Sequence, residues 1–321
     1  MKTTRRLTLR IPGSTSNLGP GFDTCALALS VHCKLTFDLL EKNDPNVPLI
    51  GFSGPIANSS RPEDAGNLIY KMMNELWKDD KNLLERIRIH IDSDIPLGSG
   101  LGSSAACILG ALWAAHVFKD RIPTTGSLLA QATSLEGHSE SLAASLMGKF
   151  VITSRSAFKN SIIARQHDWP EAWRTLFIVP KSRMRTADSR SVLPAEIPFR
   201  DAVANISRTA LLVSAVTTCD ENTLKEALYD RIHEPYRERK LPLFTSLKKA
   251  LYEQPILGCV LSGGGPSMCV IVHERHKDQV FSYLNEWAAT EVQPPLVLDI
   301  PPANYGVQEV HEDKLVASKT Q

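Results

Sequence analysis

One short segment combines glycines and serines in a pattern typical of anion-binding loops. It reads Pro96, Leu97, Gly98, Ser99, Gly100, Leu101, Gly102, Ser103, Ser104, Ala105, Ala106. Glycines at alternate positions leave the backbone free of Cβ atoms, so that its N–H groups can converge on a bulky anion. Two consecutive serines add hydroxyls suited to a phosphate or a magnesium ion. We therefore expect a phosphate cradle, although a tight turn whose glycines serve only close packing also fits.

The segment leads directly into an uncharged, apolar stretch, 106–118, which is typical of a buried helix. The glycines thus precede a helix N-terminus, where unpaired N–H groups and the positive end of the dipole favour phosphate. The common nucleotide motifs do not occur. The chain has no Walker-type Gly-Lys-Ser/Thr, Ser103 stands where the dinucleotide fingerprint has a glycine, and no Gly-x-Ser-x-Gly elbow is found.

A second polar cluster lies near the start of the chain, at 12–23 (PGSTSNLGPGFD). Its glycines and prolines predict a fixed, non-regular loop. Asn17 offers both a donor and an acceptor, whereas Asp23 offers only acceptors. Such a loop could position a substrate hydroxyl and a cationic group, and a capped turn would account for only one of the two side chains.

The glycine-rich segment resembles the Pro-x-x-x-Gly-Leu-Gly-Ser-Ser-Ala-Ala motif of the kinases grouped with galactokinase, homoserine kinase, mevalonate kinase and phosphomevalonate kinase. The resemblance implies an α+β, two-domain fold that binds ATP and substrate between its domains. It also implies that residues 96–106 bind the ATP phosphates and that Ser104 helps to hold Mg²⁺. Asn67, followed by leucine, matches a pair that lies near adenine in these kinases.

Further segments resemble homoserine kinases in particular. They are NLGPGFD at 17–23, TADSRSVLP at 186–194, DRIHEPYR at 230–237 and LSGGGPS at 261–267. By this resemblance Asp23 pairs with the ammonium of homoserine, and Asn17 contacts its polar end. Arg190 and Arg237 are expected to clamp the substrate carboxylate and neighbouring phosphate charge, because a guanidinium binds a carboxylate through two hydrogen bonds. Taken singly, either arginine would more often be a surface ion-pair partner, and the motif around it is what favours substrate binding. The glycine-rich segment at 261–267 is expected to pack beside the phosphate loop.

The chain departs from the family in one segment, at three consecutive residues. Family members have Glu-Gly-His-Pro-Asp-Asn, whereas this chain has EGHSES at 136–141. Glu136 is the expected magnesium ligand, because a carboxylate suits a hard cation that bridges phosphates. His138 is expected near the substrate. Ser141 replaces an asparagine that normally touches the amino acid, so this contact should weaken, and Glu140 could compensate because it keeps a carboxylate.

These observations favour an ATP-dependent homoserine kinase that makes O-phospho-L-homoserine for threonine synthesis. The proposed chemistry is in-line transfer of the γ-phosphoryl group to a primary hydroxyl, which depends on positioning and electrostatic stabilisation. Ser104 and Glu136 are the expected contributors to catalysis, and no residue is an obvious general base. A kinase for another small alcohol and a nucleotide-binding protein that has lost turnover remain as alternatives.

The composition indicates which classes of binding partner and which cellular location to expect. Lys and Arg total 36 against 35 Asp and Glu, so no basic surface for nucleic acid is predicted. The uncharged stretch 95–118 is too rich in glycine and serine to suggest a membrane span. A basic N-terminus without an apolar core, and cysteines without a Cys-x-x-Cys pair, favour a cytoplasmic protein. The family resemblance adds a possible homodimer.

The hydrophobic pattern predicts alternating strands and helices. The predicted strands are 7–11, 31–39, 87–91, 150–153, 175–179, 256–261, 268–273 and 296–300. The predicted helices are 67–84, 103–118, 125–134, 139–147, 200–218, 221–231, 244–253 and 277–288. With 321 residues we expect two domains, an N-terminal unit at 1–160 that carries the phosphate loop and a C-terminal unit at 161–321.

Overall fold

The computed structural model describes residues 2–59, 61–184 and 186–311. Its strands are β1 (Thr3–Asn17), β2 (Gly21–Leu40), β3 (Ile50–Ser53), β4 (Ile87–Ser93), β5 (Phe150–Arg155), β6 (Ile162–His167), β7 (Trp173–Val179), β8 (Ile256–Leu261), β9 (Met268–His273), β10 (Leu296–Asp299) and β11 (Gln308–Glu309). Its helices are α1 (Glu63–Leu76), α2 (Lys81–Arg86), α3 (Ser103–Val117), α4 (Thr125–Glu136), α5 (Glu140–Met147), α6 (Thr186–Arg190), α7 (Phe199–Thr218), α8 (Glu221–Ala227), α9 (Glu234–Glu238), α10 (Pro242–Ala250) and α11 (Lys277–Thr290). Short 3-10 turns lie at Pro55–Asn58 and Glu274–His276.

The first sheet is built on a long hairpin of β1 and β2. Its strand order is β11-β1-β2-β4-β3, and β5 joins it through β2 and carries β6. The predicted alternation is confirmed, because Leu7, Leu9 and Ile11 are all buried. Helix α3 packs closely on this sheet, where a Cβ added to Gly110 would lie 2.2 Å from the Leu35 side chain. The predicted helix at 103–118 is thus confirmed to within one residue.

The expectation of a non-regular loop at 12–23 is wrong. Most of this segment continues β1 and opens β2, and only 18–20 form the turn between them. The strands accommodate the glycines and prolines through irregularities between Pro12 and Gly13 and between Ser16 and Asn17. Such bulges bend a strand and change the direction of its side chains, which suits the edge of a binding site.

The second sheet has the order β10-β7-β9-β8. One of its faces packs on α10 and α11 in a core that includes Ile178, Phe244 and Leu284. Apolar residues of β7 and β9, among them Phe177 and Ile271, instead join the large core of the first sheet. The two sheets therefore share buried contacts.

The change between the sheets comes later than the expected division at 160/161. Strand β6, at Ile162–His167, pairs with β5 and so belongs to the first sheet. The second sheet begins at Trp173, and the chain returns to the first sheet at β11, which pairs with β1. Hydrogen bonding to β5 decides the placement of β6, and its sequence does not reveal this pairing. Residues 312–321 of the expected C-terminal unit lie outside the described residues.

Two predicted helices differ from the structure. The helix expected at 67–84 is two helices, because the Asp80 side chain accepts a hydrogen bond from the Leu83 N–H and caps a new helix. The helix expected at 221–231 ends at Ala227. In the part of the chain that the structure describes, no helix is both long and apolar enough to cross a bilayer.

Candidate active site

A cavity of about 890 Å³ opens where segments of both halves of the chain meet. The first half contributes residues of the β1–β2 hairpin, α1, the glycine-rich loop and the 136–141 segment. The second half contributes residues from 183–190, Arg237 and the 263–265 turn. Sequence segments that lie far apart in the chain therefore line one site.

The glycine-rich loop has the backbone conformation that its sequence predicts. Gly98, Gly100 and Gly102 have φ values of +65°, +83° and +83°, a region that residues with a Cβ rarely adopt. Gly102 is the N-cap of α3, and no side chain caps this end of the helix. The first N–H groups of α3 therefore remain available to an anion in the cavity.

The loop is held in place by the second glycine-rich segment, as predicted. The Ser262 hydroxyl donates to the Gly100 carbonyl at 2.8 Å, and the Ser267 N–H donates to the Ser99 carbonyl at 3.2 Å. A Cβ on Gly100 would lie 2.4 Å from the Ser262 carbonyl oxygen. Glycine is thus favoured at this position for two reasons, the close packing against Ser262 and the left-handed backbone conformation.

Most of the predicted loop residues reach the cavity. Those that line it are Leu97, Gly98, Ser99, Gly100, Gly102, Ser103, Ser104 and Ala105. Pro96, Leu101 and Ala106 do not line it, and both Leu101 and Ala106 are fully buried. The Leu101 carbonyl instead accepts a hydrogen bond from the Ser14 N–H, which ties the loop to β1.

Ser104 and Glu136 meet at the N-terminal end of α3. The Ser104 hydroxyl donates to Oε2 of Glu136 at 3.1 Å, and both residues line the cavity. A hydroxyl and a carboxylate at this distance form an oxygen donor set suited to a hard divalent cation. Their position beside uncapped helix N–H groups suits a cation that is also bound by phosphate.

The side chain of Asn17 forms hydrogen bonds with other groups of the protein. Its amide donates to the Gly263 carbonyl at 2.8 Å and accepts from the Asp23 N–H at 3.0 Å. Asn17 lines the cavity but is only 3 % exposed, and its φ is +74°. The geometry therefore gives it a positioning role, in contrast to the substrate contact that the resemblance implies. Its two partners belong to the hairpin and to the second glycine-rich segment.

Asp23 and Arg190 form a two-point ion pair on the cavity wall. The guanidinium donates to Oδ1 at 2.6 Å and to Oδ2 at 3.0 Å. Partial burial by itself lowers the pKa of Arg190, but the hydrogen bonds and charge of Asp23 outweigh it and raise the pKa above its ordinary value. Two residues predicted to bind opposite ends of an amino acid thus bind each other here.

Arg237 is a buried cation behind this pair. It is 3 % exposed, and its guanidinium bonds to Nδ1 of His233 at 2.9 Å and to the Gly263 carbonyl at 3.3 Å. Burial, together with the positive charge of Arg190, lowers the pKa of Arg237 to about 10. The centroid of the Phe22 ring lies 5.3 Å from the Arg237 guanidinium carbon and 5.4 Å from that of Arg190, so both cations contact the same aromatic ring.

The segment that departs from the family motif also faces the cavity. His138 has Nε2 at 3.8 Å from Oε1 of Glu136 and Nδ1 at 3.2 Å from Oε1 of Glu140. Burial alone would lower the pKa of His138, but Glu140 and then Glu136 raise it above its ordinary value. Ser141 lines the cavity, and its carbonyl accepts from the Ser14 hydroxyl at 3.3 Å.

Asn67 lies on α1 and lines the cavity with residues that the sequence alone did not single out. These are Lys71, Arg183 and Ser189, among others. Lys71 is four residues after Asn67 and so lies on the same helix face. This spacing in the sequence could have indicated that Lys71 also faces the cavity. Arg183 and Ser189 sit in a segment whose folding towards the loop only the structure reveals.

Family models match both halves of the chain. The description "GHMP kinases N terminal domain" covers residues 67–149, and "GHMP kinases C terminal" covers 212–290. The homoserine kinase of Halothermothrix orenii is 35% identical over 262 residues, which span 81% of this chain and 83% of that protein. The homoserine kinase of Clostridium beijerinckii is 32% identical over 280 residues, 86% of this chain and 89% of its own length.

Solved structures agree on the fold. A homoserine kinase from Cytophaga hutchinsonii superposes with a TM-score of 0.78 at 21% identity, covering 97% of this chain and 99% of its own. The mevalonate diphosphate decarboxylase of Enterococcus faecalis superposes with a TM-score of 0.65 at 14% identity, covering 95% and 99%. The sequence similarity to homoserine kinases extends over most of both chains. This chain belongs to the homoserine kinases of the GHMP kinase family.

Proposed function

We propose that the protein transfers the γ-phosphoryl group of ATP to the side-chain hydroxyl of L-homoserine, giving O-phospho-L-homoserine for threonine synthesis. One observation carries this proposal. A single cavity combines the uncapped end of α3, the Ser104–Glu136 oxygen pair and the charges of Asp23, Arg190 and Arg237. The first two suit a metal-bound triphosphate, and the charged side chains suit a zwitterionic amino acid.

At the nucleotide end, the N–H groups of the glycine-rich loop and the dipole of α3 stabilise negative charge on the phosphates. Asn67 of α1 and Leu97 of the loop both line the cavity and would border the base. Ser104 and Glu136 would hold Mg²⁺, whose chemistry when bound is to neutralise the charge of the phosphate oxygens. The hydrogen bond between the two residues already places both oxygens on one side of the helix end.

At the amino-acid end, Arg190 and Arg237 bind the carboxylate of homoserine and Asp23 receives its ammonium. The Asp23–Arg190 pair has about one third of each side chain exposed, so either group can turn towards a substrate at low cost. His138 and Ser141 border the same space. Asn17 acts indirectly, because it fixes the Asp23 backbone and the 263 turn.

The transfer itself requires the acceptor hydroxyl to lie in line with the bond that breaks. Holding both substrates in one cavity supplies this orientation. The fixed N–H groups at α3 stabilise charge that spreads over the transferring phosphoryl oxygens, without reorganisation during the step. Both halves of the chain contribute to the amino-acid end, Asp23 from the first and Arg190 and Arg237 from the second, so the reaction would take place between the halves.

One observation favours a second candidate. Ser141 lines the cavity and has a shorter side chain than the asparagine of the family motif, so it fills less of the acceptor end. A kinase for another small alcohol would be consistent with this change. The same charged residues still favour an acceptor that carries both an ammonium and a carboxylate.

A panel of acceptors tests the proposal. ADP release is measured with ATP and L-homoserine, L-threonine, L-serine, mevalonate or no acceptor. We expect L-homoserine to give the highest kcat/KM. Turnover of another alcohol with no homoserine-dependent ADP would support the second candidate, and ATP binding without turnover of any acceptor would show that activity has been lost.

A further inference from the structure

The outward side of helix α7 carries apolar side chains where a water-facing helix normally carries charges. Its exposed, uncharged residues are Phe199, Val203, Ile206, Ser207, Ala210, Ser214 and Thr217. Their spacing, mostly three or four residues, places them on one side of the helix. Phe199 and Ile206 are 86 % and 71 % exposed, so nothing in the described chain covers them. These residues form the α7 face.

Other surface positions show that this pattern is unusual for the protein. The exposed residues of α1 are all polar or charged, namely Glu63, Asp64, Asn67, Lys71, Asn74 and Glu75. Large apolar residues that are exposed singly, such as Phe158 at the β5–β6 turn, are common on protein surfaces. An apolar stripe from Phe199 to Ala210, about three turns long, is instead typical of a surface that another molecule covers.

The charge around the α7 face indicates what kind of molecule covers it. Within 202–218 the one charged side chain is Arg208. Arg208 stacks on the Tyr229 ring at 4.9 Å and lies about 160° around the helix from Ile206. A surface that meets its own copy must avoid like charges, which repel across a two-fold axis. A helix that binds anionic lipid needs Lys and Arg beside its apolar stripe, and α7 has only Arg200 there. A second copy of this chain therefore fits the face better than a membrane does.

The α7 face is also complementary to itself in shape. Its large side chains, of Phe, Val and Ile, lie in the N-terminal half, and its small ones, of Ser and Ala, lie in the C-terminal half. Two copies laid antiparallel about an axis at 206/207 bring the large half of each onto the small half of the other. Val203 then lies at the level of Ala210 of the second copy, and Phe199 at the level of its Ser214. Large side chains that fit beside small ones are what close helix packing requires.

We propose that the α7 face is a two-fold interface between two copies of this chain, with the two α7 helices packed antiparallel. The Ser207 hydroxyl already donates to the Ala204 carbonyl at 2.9 Å, so its burial beside the axis leaves no unpaired donor. The face at 199–214 is about 24 Å long and about 10 Å wide, which is less than the ~800 Å² per partner of a standard interface. Leu211 and Ile197 are exposed beside it and enlarge it. We therefore expect a reversible dimer with a Kd in the micromolar range.

The opposite side of α7 supports the amino-acid end of the cavity. Asn205 and Thr209 donate to the Pro20 carbonyl at 3.3 Å and 2.8 Å, in the turn that precedes Asp23. None of the residues of α7, all of which the structure describes, lines the cavity. Each copy in the dimer therefore keeps a complete site, and the interface supports the helix on which that turn rests.

Sedimentation velocity of the full-length protein without substrates tests the interface, so the outcome does not depend on the proposed function. Over about 1–200 µM protein the wild type should shift from monomer to dimer, as a Kd in the micromolar range requires. Ile206→Glu places a charge beside the axis and should raise the Kd about 30-fold or more, the scale of a central interface residue. Phe158→Glu is the matched control and should leave the Kd unchanged, because Phe158 is 96 % exposed but lies at the β5–β6 turn.

Two results of this experiment would overturn the proposal. One is a wild-type protein that stays monomeric at every concentration, whether or not it binds phosphatidylglycerol vesicles or another protein. The other is a dimer whose Kd is unchanged in Ile206→Glu. The far-UV circular dichroism of this variant should match that of the wild type, because the position is exposed in each chain.

An exchange of two side chains tests the antiparallel register. Ala210→Val alone adds volume at a close contact and should raise the Kd about tenfold or more. Ala210→Val combined with Val203→Ala restores the total volume at this contact, so the double variant should dimerise nearly as well as the wild type. A double variant that dimerises less well than Ala210→Val alone would contradict the register.

Cysteine cross-linking locates the axis. Ser207→Cys should form a disulfide with its own copy under mild oxidation, because residues beside a two-fold axis can bring their Cβ atoms to the required distance of about 3.5–4.5 Å. Cys219, exposed at the end of α7, is an internal control. It lies about 19 Å along the helix from the axis, so its two copies would be about 38 Å apart and should not cross-link. Chains that cross-link through Cys219 but not through Ser207→Cys would refute the antiparallel arrangement.

Discussion

At the scale of single residues, the ion pair between Asp23 and Arg190 makes the clearest prediction. Asp23→Asn should raise the KM for homoserine about 10- to 100-fold, the worth of a hydrogen bond to a charged group, and change the KM for ATP less than about twofold. Stability should hardly change, because a partly exposed ion pair contributes about 0–1 kcal/mol. Steady-state kinetics and thermal unfolding provide the two measurements.

Asp120→Asn is a matched control for this change. Asp120 also pairs with an arginine, Arg5 at 2.8 Å, and both aspartates have a φ of +53°, which asparagine tolerates. The Asp120 pair lies away from the cavity, so neither KM should change. Equal increases in the two KM values for Asp23→Asn would contradict a role in binding the amino acid.

The residue types in the sequence were sufficient to locate the site, but they did not show which groups each side chain contacts. Ser104, Glu136, Arg190 and Arg237 all line the cavity, and each belongs to a short motif in the sequence. The partners of Asn17 could not be predicted, because its amide bonds to Gly263, 246 positions away along the chain. A contact between such distant segments depends on how both halves fold, which no local pattern contains.

At the scale of elements, the glycine-rich loop tolerates no side chain at Gly100. Gly100→Ala should destabilise the protein by at least about 1–2 kcal/mol from the left-handed backbone alone. The clash with the Ser262 carbonyl should also shift the loop and weaken ATP binding. Thermal unfolding and ATP titration measure the two effects.

Gly126→Ala is the control within a helix. Gly126 lies in the first turn of α4, and a Cβ there would meet nothing within 4 Å. This change should stabilise the protein by about 0.4–1 kcal/mol, because alanine restricts the unfolded chain. ATP affinity should stay the same. A Gly100→Ala protein with normal stability and normal ATP affinity would contradict the loop geometry.

Two buried groups with opposite dependence on pH lie at the N-terminal end of the short helix α9, His233 directly before it and Glu234 at its first position. Burial lowers the pKa of His233 to about 4 and raises the pKa of Glu234 to about 8. Against unfolded values of about 6.5 and 4.3, His233 adds stability as pH rises from about 4 to 6.5, whereas Glu234 removes it from about 4.3 to 8. The two effects oppose each other below pH 6.5, and only the loss due to Glu234 remains above it.

We therefore expect the free energy of unfolding to fall between pH 6.5 and 8, by up to about 1.4 kcal/mol per pH unit. Glu234→Gln should flatten this part of the curve, because glutamine does not titrate but can still accept the hydrogen bond from the Leu261 N–H. Denaturant unfolding at a series of pH values measures both slopes. Parallel curves for the two proteins would show that Glu234 is ionised in the folded state.

Strands and helices were predicted correctly where the hydrophobic periodicity is strong. The prediction was wrong where glycine and proline suggested a loop within a strand. The alternation of β1 and the apolar run of α3 were sufficient to place both elements. Residues 12–17 have the composition of a loop, yet they pair with β2 through bulges. Helix α9 was not predicted, because its few residues show no periodicity. Its first N–H, that of Glu234, donates to the side chain of buried Asp230 at 2.7 Å, four residues earlier in the chain.

At the scale of the whole molecule, the two sheets share one large core. Residues of the first sheet, such as Leu9, belong to the same buried cluster as Leu212 of α7 and Ile271 of β9. The sequence predicted two domains, but composition could not reveal that they are fused by apolar contacts. This shared core, and a cavity lined from both sides, link the stability of the two halves.

We therefore expect one cooperative thermal transition for the whole chain. ATP and homoserine together should shift the entire transition upwards, since a ligand at 100 times its Kd adds about 2.7 kcal/mol to the folded state. Adenosine, which lacks the triphosphate, should shift it little. Scanning calorimetry distinguishes the alternatives, because independent domains would give two transitions of which the ligands could move only one. A single peak that moves as a unit would mean that substrate binding stabilises both halves through the core they share.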